Sequence, residues 1–226
     1  MPHSRPRYTL SDCVGDPREW SYTWEIRDDV SFSSSCDFCG QGEQRHTYEV
    51  MREAARLWVC QRCVGRYEVT GVLEGEALAL REARNHLHGL TARLKQRTCQ
   101  DVIRTVQALS DNPALEEIAV YFDRNLQLSP ERAALLFNAL GASGLAIDPK
   151  IFEVQTRSAV HQDEFGALAQ DDRIAVWAAL SSQQKRRLDS LGYAPSKSQL
   201  AATRMTAVTS PAKSISGRKS EAPSKD

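Results

Sequence analysis

Two cysteine pairs are the residues with the clearest chemistry in this chain of 226 residues. Cys36 and Cys39 form one C-x2-C pair, and Cys60 and Cys63 form a second pair, with twenty residues between the two. This spacing is typical of zinc sites, because two intervening residues let a tight turn aim both sulfurs at one ion. Four sulfurs also complete a tetrahedral shell and leave no position for water. The sequence therefore predicts one structural Zn2+ ion, not a catalytic one.

Two other interpretations of the four thiols stay open. The first is that they are reduced core cysteines without a metal. The second is redox chemistry, although a thioredoxin-like dithiol is a single pair beside a βαβ unit, and the chain has two pairs and no βαβ alternation. The remaining cysteines, Cys13 and Cys99, have no partner at metal-binding spacing and are predicted to be buried, inert thiols.

The cysteine region resembles the four-cysteine zinc modules of treble-clef or zinc-ribbon type. The resemblance rests on the stretches CDFCG and WVCQRC and on the hairpin sequence HTYEVMREAARLWV between them, and it covers residues 36–67 only. It implies a small zinc-stabilised module, and such modules serve nucleic-acid binding, protein binding or scaffolding. The segment after Cys63 is predicted to be helical, which favours the treble clef over the ribbon.

Arginines crowd the same region and are candidate contacts for nucleic-acid phosphates. They are Arg45, Arg52, Arg56, Arg62 and Arg66. Tyr48, Trp58 and Tyr67 are available to stack on bases. Further basic residues follow on the next helices, at Arg81, Arg84, Arg93, Lys95, Arg97 and Arg104. Neighbouring acidic residues keep the local excess of charge small, so an ordinary solvated surface is the other interpretation.

These features predict a nucleic-acid-associated accessory protein whose partner is DNA or RNA. The alternatives are a protein-protein interaction adaptor in which the zinc is purely structural, and a thiol or zinc redox sensor. The sequence contains no glycine-rich phosphate loop, no G-x-S-x-G elbow and no H-E-x-x-H motif. We therefore do not expect an enzyme.

Composition sets limits on partners and location. The chain has 29 basic and 29 acidic residues, so no global field draws it to nucleic acid or to a membrane, and such binding must be local. The N-terminal residues lack the apolar stretch of a secretory signal, so export is not expected. The longest apolar run, residues 174–180, is too short to cross a bilayer. Free cysteines in a chain without a leader indicate a cytoplasmic protein.

The elements around the cysteines are predicted to be mainly strands. Residues 20–26 alternate aromatic and polar side chains, which indicates a half-buried strand, and residues 45–59 predict a hairpin between the cysteine pairs. A short helix over residues 64–69 is predicted to stop at Thr70-Gly71.

Residues from Leu73 onward follow a period of 3.6 and predict a long amphipathic helix to Leu94. Gly89 is a candidate kink in that helix, and Thr98 is a candidate cap for a fresh start. Its leucine seam is predicted to be an internal bundle core, with self-association left open.

Three later helices are predicted from a capping side chain followed by proline. The cap and proline pairs are Asn112-Pro113, Ser129-Pro130 and Asp148-Pro149. The second of these helices is predicted to end at Gly141. Two more helices are predicted around residues 174–180 and 182–191.

The predicted fold class is α+β: a small β-hairpin zinc module, a mainly helical region and a disordered tail. The predicted division is an N-terminal arm at 1–17, a zinc-binding module at 18–72, a helical bundle at 73–142, further helices at 143–195 and a disordered tail at 196–226. The tail is rich in serine, alanine and lysine and has too few large apolar residues to fold.

Overall fold

The computed structural model describes residues 10–196, 198 and 200. The first nine residues of the predicted N-terminal arm lie outside the described residues. So does the predicted disordered tail, apart from three of its positions. Within the described part a five-stranded mixed sheet is followed by helices, so the predicted α+β class is confirmed.

The sheet has the strand order β3-β2-β1-β4-β5. Its strands are β1 Ser21–Asp28, β2 His46–Arg52, β3 Ala55–Cys60, β4 Thr70–Leu73 and β5 Glu76–Ala77. Strand β2 pairs antiparallel with both β1 and β3, whereas β4 pairs parallel with β1. The predicted first strand and the hairpin between the cysteine pairs are therefore both present.

The helix after the second cysteine pair, α1, spans Gln61–Arg66. It begins three residues earlier than predicted, and the expected stop at Thr70-Gly71 is wrong because these residues open β4. Gly71 is needed for a close approach: a Cβ there would lie 2.8 Å from Cζ2 of the Trp24 indole. The Trp24 ring also donates from Nε1 to the Val72 carbonyl at 2.7 Å, which fastens β1 to β4.

The long helix, α2, spans Leu80–Ala108, so its predicted start at Leu73 is wrong. Leu73 ends β4 instead, since the tight turn at Glu74 and Gly75, both with positive φ, reverses the chain into β5. The helix runs through Gly89 and Thr98 without a break. A glycine inside a helix lowers its stability by about 1 kcal/mol relative to alanine. The apolar side chains that α2 buries on either side of Gly89 offset this loss.

Five further helices complete the described chain. They are α3 Ala114–Asn125, α4 Pro130–Ser143, α5 Ala159–Ala167, α6 Gln170–Ala179 and α7 Ser182–Ser190. The caps predicted at Asn112 and Ser129 are present, because their side-chain oxygens accept from the backbone amides two and three residues on.

Three of the helix predictions need correction. The Asp148-Pro149 cap starts only a 3-10 turn, Pro149–Ile151, because the chain is extended again at the buried Phe152. Helix α4 continues past Gly141 and ends before Gly144, which has the positive φ of a C-terminal stop. Helix α5 was not predicted from the sequence, since its apolar residues show no helical period.

The buried apolar residues form two clusters joined by α2. The first, which we call the cysteine core, combines Cys36, Cys60 and Cys63 with sheet residues such as Tyr48 and Val50. The second, the helical core, is built from α2 to α7 and the segment between α4 and α5.

Helix α2 contributes to both clusters. Ala83 and Leu87 lie in the cysteine core, whereas Val102, Ile103 and Val106 lie in the helical core. The five-part division of the chain stays a prediction, but a boundary at residue 73 does not coincide with a change of core. Among the described residues, no helix has the length and apolar content that a bilayer crossing requires.

Candidate metal centre

Three different elements bring the four cysteines together. Cys36 and Cys39 lie in the loop between β1 and β2, Cys60 is the last residue of β3, and Cys63 lies on α1. The register of the hairpin places Cys60 opposite Thr47 at the start of β2, next to the loop that holds the first pair. The four sulfurs all lie within 4.8 Å of one another.

The spacing of the sulfurs fits one tetrahedral metal ion. Zinc binds thiolate sulfur at about 2.3 Å, so the edge of an ideal tetrahedron of four sulfurs is about 3.8 Å. The Cys39 and Cys60 sulfurs are 4.0 Å apart. The four cysteines can therefore hold a metal ion such as zinc, with all four positions filled by protein.

Backbone hydrogen bonds shape the first cysteine pair into a turn. The Gly40 amide donates to the Cys36 carbonyl at 2.7 Å, and the Cys36 amide donates to the Gln41 carbonyl at 3.0 Å. Gly40 has a φ of +67°, the left-handed conformation that glycine adopts without strain. This turn points both sulfurs of the pair the same way.

The turn is also bonded to β3. Asp37 and Trp58 exchange two hydrogen bonds, from the Asp37 amide to the Trp58 carbonyl at 2.8 Å and from the Trp58 amide to the Asp37 carboxylate at 2.6 Å. The Cys60 amide donates to the Cys36 sulfur at 3.2 Å, a bond that favours the thiolate form. The two cysteine pairs are thus positioned by the fold itself.

Aromatic side chains shield the cluster. Phe38, between the two cysteines of the first pair, is fully buried and makes edge contacts with the rings of Trp20 and Tyr67. Trp58, one of the rings predicted to be available for stacking on bases, is half-buried under the Arg27 guanidinium at 4.1 Å. Cys39 is half-buried, whereas the other three cysteines are buried.

The four thiols perturb one another. Hydrogen bonding to the sulfurs of Cys36 and Cys63 lowers the pKa of the Cys60 thiol to about 3. Hydrogen bonding to Cys36 and Cys60 raises the pKa of the Cys63 thiol, and burial adds to the effect. Cys60 and Cys63 are thus perturbed in opposite directions. Deprotonated cysteine is the form that binds a metal ion, and four sulfurs this close together are the donor set of a metal site.

The five arginines predicted to contact phosphates have different surroundings. The Arg45 side chain is 10% exposed, and its guanidinium bonds the Asp28 carboxylate at 2.8 Å and the Ile151 carbonyl at 2.6 Å. Arg45 thus joins the sheet to the helical core and does not present a free charge to solvent.

The Asp28 carboxylate is correspondingly perturbed. Burial by itself raises the pKa of Asp28, but the neighbouring His46 ring and Arg45 guanidinium outweigh it and hold that pKa well below its ordinary value. The His46 Nε2 atom lies 3.3 Å from the carboxylate.

The other four arginines lie on three elements. Arg52, at the end of β2, covers the Trp20 ring and bonds Glu19, and Arg56 on β3 pairs with Glu49. Arg62 and Arg66 are exposed on α1, where Arg66 lies over the ring of Tyr67. None of these four lines the first or the second cleft described below.

A cleft of about 930 Å³ lies between the cysteine region and the helices, and we call it the first cleft. Helix α2 lines it with Arg84, His88, Arg93 and Lys95, and the facing wall includes Gln61 and Gly65 of α1. Arg84, His88 and Lys95 are four and seven residues apart, so they share one helix face. The two arginines and the lysine are among the basic residues recognised in the sequence, but their spacing does not reveal what lies opposite them.

The two remaining cysteines and one histidine of α2 have clear positions. Cys99 is buried as predicted, with its sulfur 3.4 Å from the Ile151 carbonyl. The prediction that Cys13 is buried is wrong: it is exposed in a 3-10 turn at the edge of the sheet region. His86 packs edge-on against Trp24 at 4.8 Å.

Comparison with known proteins identifies no relative of this chain. No family model, no curated protein and no solved structure matches it. The site must therefore be interpreted from its own geometry.

Proposed function

We propose that this protein is a zinc-stabilised nucleic-acid-binding protein that acts by binding, not by catalysis. Cys36, Cys39, Cys60 and Cys63 hold one Zn2+ ion, which supplies a structural cross-link and no open coordination position. The order of cysteine turn, hairpin and helix supports a treble-clef module, because α1 stands where a zinc ribbon has a second hairpin. The nucleic acid lies in the first cleft.

The charge of the first cleft is the observation that carries this proposal. The whole chain has no net charge, yet the described lining of the cleft contains four lysine and arginine residues, two histidines and one carboxylate, Glu153. Arg45 is neutralised by Asp28, which leaves Arg84, Arg93 and Lys95 as the cations that face a ligand. Such a local concentration of positive charge complements a phosphate backbone.

The lining favours contact with phosphates over stacking on bases. Its aromatic residues in the described chain are Tyr48 and Phe122, which are 1% and 2% exposed. Buried rings offer no stacking face, so the bases are not gripped between aromatic side chains. We therefore expect binding that depends weakly on sequence and strongly on salt.

The metal site and the cleft are physically connected through α1. Cys63 lies on this helix, and Gln61 and Gly65 of the same helix line the cleft. Across the cleft, the Arg84 guanidinium on α2 donates to the Gly65 carbonyl at 2.9 Å. Zinc holds α1 against the hairpin, so loss of zinc displaces one wall of the cleft and its Arg84 contact.

Fluorescence anisotropy with labelled single-stranded DNA, duplex DNA and single-stranded RNA tests the proposal over a range of salt. The double variant R84E/R93E reverses two cleft charges and should weaken binding at least about tenfold and flatten the salt dependence. The matched control R81E/R97E reverses two exposed arginines on the same helix that do not line the cleft. It should bind with nearly wild-type affinity.

Three results decide against this proposal. If both double variants bind nucleic acid equally weakly, overall charge explains the binding and the first cleft is not the binding site. No binding of any of the three nucleic acids at low salt leaves the interaction adaptor as the better account. Reversible release of zinc by mild peroxide, without nucleic-acid binding, favours the redox sensor.

A further inference from the structure

A second cleft of about 950 Å³ adjoins the helical core. The segment from Phe152 to Ser158 forms one side of it, and the start of α7 forms another. The Gln184 side chain ties the two together by donating to the Val154 carbonyl at 2.7 Å. Leu128 also pairs with this segment through an isolated parallel bridge. The walls of the cleft are therefore held in place by backbone bonding.

Basic side chains surround this second cleft. Lys150, Arg157 and Arg187 line it and are exposed, and Glu153 is the one carboxylate among its described lining residues. Lys150 also pairs with Asp148 at 3.3 Å, whereas the two arginines have no carboxylate partner within the described chain. The cleft therefore carries an excess of positive charge.

Two helices point their N-termini into the same space. Ser158 caps α5 and Ser181 caps α7, both helices have nine residues, and both caps line the cleft. The amide end of a helix carries a partial positive charge and favours an anion. Charged side chains and backbone dipoles thus have the same sign here.

A buried hydroxyl group is the independent sign of a ligand. Thr156 lines the cleft and is 1% exposed, yet its Oγ1 atom has no hydrogen-bond partner among the described residues. A buried hydroxyl group without a hydrogen-bond partner destabilises the fold, so such groups normally have one. An acceptor oxygen from a ligand in the cleft would satisfy it.

We propose that the second cleft is a phosphate-binding site. Arg157 and Arg187 supply paired N–H donors, Lys150 supplies a point charge, and Thr156 donates its hydroxyl hydrogen to a phosphate oxygen. The first turns of α5 and α7 add their dipoles. This assignment rests on the second cleft alone and does not require that nucleic acid binds in the first.

The surroundings contain further positive charge. Lys185 lies close to the cleft on α7, where burial and then the charge of Lys150 lower its pKa. A bound phosphate would relieve this repulsion between the two ammonium groups. The neighbouring positive charges are therefore consistent with an anion site.

The phosphate has two sources with the same chemistry. One is a small phosphorylated molecule, for which the volume of the cleft is adequate. The other is the backbone of a nucleic acid, because Gln127 and Glu153 line both clefts and connect them. A strand in the first cleft can follow this connection into the second.

Titration calorimetry of the full chain with inorganic phosphate and with pyrophosphate tests the site, at constant ionic strength. The wild-type protein should bind with saturation at one site, and R157E/R187E should lose the heat signal. The control R186E reverses an exposed arginine of α7 that does not line the cleft, and it should keep the wild-type isotherm. No saturable phosphate signal in the wild type, or an unchanged isotherm in R157E/R187E, overturns the proposal.

Thr156→Val gives a second measurement that a purely structural role would not produce. The substitution keeps the shape of the side chain and removes a hydroxyl that has no protein partner, so the thermal midpoint should not fall. Phosphate affinity should fall about tenfold through loss of one hydrogen bond to a charged ligand. A retained phosphate affinity would remove Thr156 from the site and contradict the proposed contact.

Oligonucleotides of about 4, about 10 and about 20 nucleotides distinguish the two sources of the phosphate. These lengths bracket the sites of about 4–16 nucleotides that single-strand binders cover. Weaker binding of only the longer strands by R157E/R187E assigns the phosphate to a nucleic acid that crosses from the first cleft. If R157E/R187E loses phosphate binding but binds all three oligonucleotides as the wild type does, the phosphate belongs to a small molecule. In R84E/R93E the phosphate isotherm should persist, so failure of the proposed function and failure of this site give different results.

Discussion

The two cores of this protein are stabilised in different ways. The cysteine core contains only two buried leucine or phenylalanine residues in the described chain, Phe38 and Leu87, and three of its buried residues are cysteines. The helical core is built largely of leucine, isoleucine and phenylalanine from six helices. Since small β layers bury too little apolar area to be stable alone, the metal ion that we propose for the four cysteines would take the place of the missing apolar contacts.

The two cores are nevertheless connected. Helix α2 contributes side chains to both, and Arg45 bonds the Asp28 carboxylate on one side and the Ile151 carbonyl on the other. We therefore expect the cysteine core to depend on its proposed metal ion and the helical core to depend on apolar packing. Helix α2 and the contacts of Arg45 connect the two. Three perturbations can break or sharpen this contrast.

Removal of the metal should have the largest effect. In C36S/C60S, or after chelation, we expect loss of the bound zinc and of amide protection in β2, β3 and α1, while α4 and α6 keep theirs. Structural zinc contributes on the order of 10 kcal/mol to the folding of small modules, more than any single side chain. Metal analysis should give about one zinc per wild-type chain, and hydrogen exchange measures the protection.

Cys13→Ser is the control for this experiment, because Cys13 is exposed and lies outside the cluster. It should retain zinc and wild-type protection. If α4 and α6 lose protection together with β2 and β3, the two cores unfold as one unit and the contrast is wrong. A purified wild-type protein without metal would refute the zinc site itself.

Shortening one side chain in the helical core should have an intermediate effect. It should lower stability without removing the metal. Leu136 is 0% exposed on α4, and Leu136→Ala should lower the free energy of unfolding by about 3 kcal/mol through the cavity it leaves. Zinc content should not change. Denaturant unfolding followed by circular dichroism measures the loss.

The neighbouring residue supplies the comparison for Leu136. Leu135 is 37% exposed on the same helix, so Leu135→Ala should cost well under about 1 kcal/mol. Equal losses in the two variants, or zinc release in Leu136→Ala, would show that packing of the helical core also supports the metal site.

Breaking the ion pair of Asp28 and Arg45, which holds Arg45 near the Ile151 carbonyl of the helical core, should have the smallest effect. Asp28→Asn leaves the buried Arg45 guanidinium without a carboxylate, and we expect a loss of about 2 kcal/mol at neutral pH. The pKa of Asp28 is held below its ordinary value in the folded protein. The ionised carboxylate therefore stabilises the fold above about pH 4, and this stabilisation is lost as the pH falls below that value.

Unfolding measured from pH 7 down to pH 3 in both proteins checks the sign. The difference in stability between wild type and Asp28→Asn should shrink on acidification, since only the wild type has a carboxyl to protonate at this position. A difference that is constant over this range would mean that the Arg45 contact contributes no net charge stabilisation.

The cysteine cluster and the hairpin were predictable because they follow from short-range chemistry. Two C-x2-C pairs and the alternation of Trp20 to Ile26 need no knowledge of distant parts of the chain. The helix from Leu73 was predicted too early because Leu73 and Ala77 fit a helical period. The turn at Glu74 and Gly75 decides otherwise by pairing β4 with β5.

The clefts were not predictable for a related reason. The cations of the first cleft lie on α2, but the wall that faces them comes from α1 and other elements. The basic residues of the second cleft come from separate elements, such as Arg157 before α5 and Arg187 on α7, and no sequence spacing relates them. Arg45 also could not be placed from the sequence. It lies among the arginines of the cysteine region along the chain, but in the fold it is buried against Asp28.

The amino-acid sequence alone was enough to identify the four cysteines that can hold a metal ion, the hairpin between the two pairs and the capped starts of α3 and α4. These depend on residues within about one turn or one hairpin of each other. Only the tertiary structure decided that α2 joins two cores, which arginines stay exposed and where positive charge collects in clefts. Charge and burial are sums over all neighbours in space, and those neighbours are far apart along the chain.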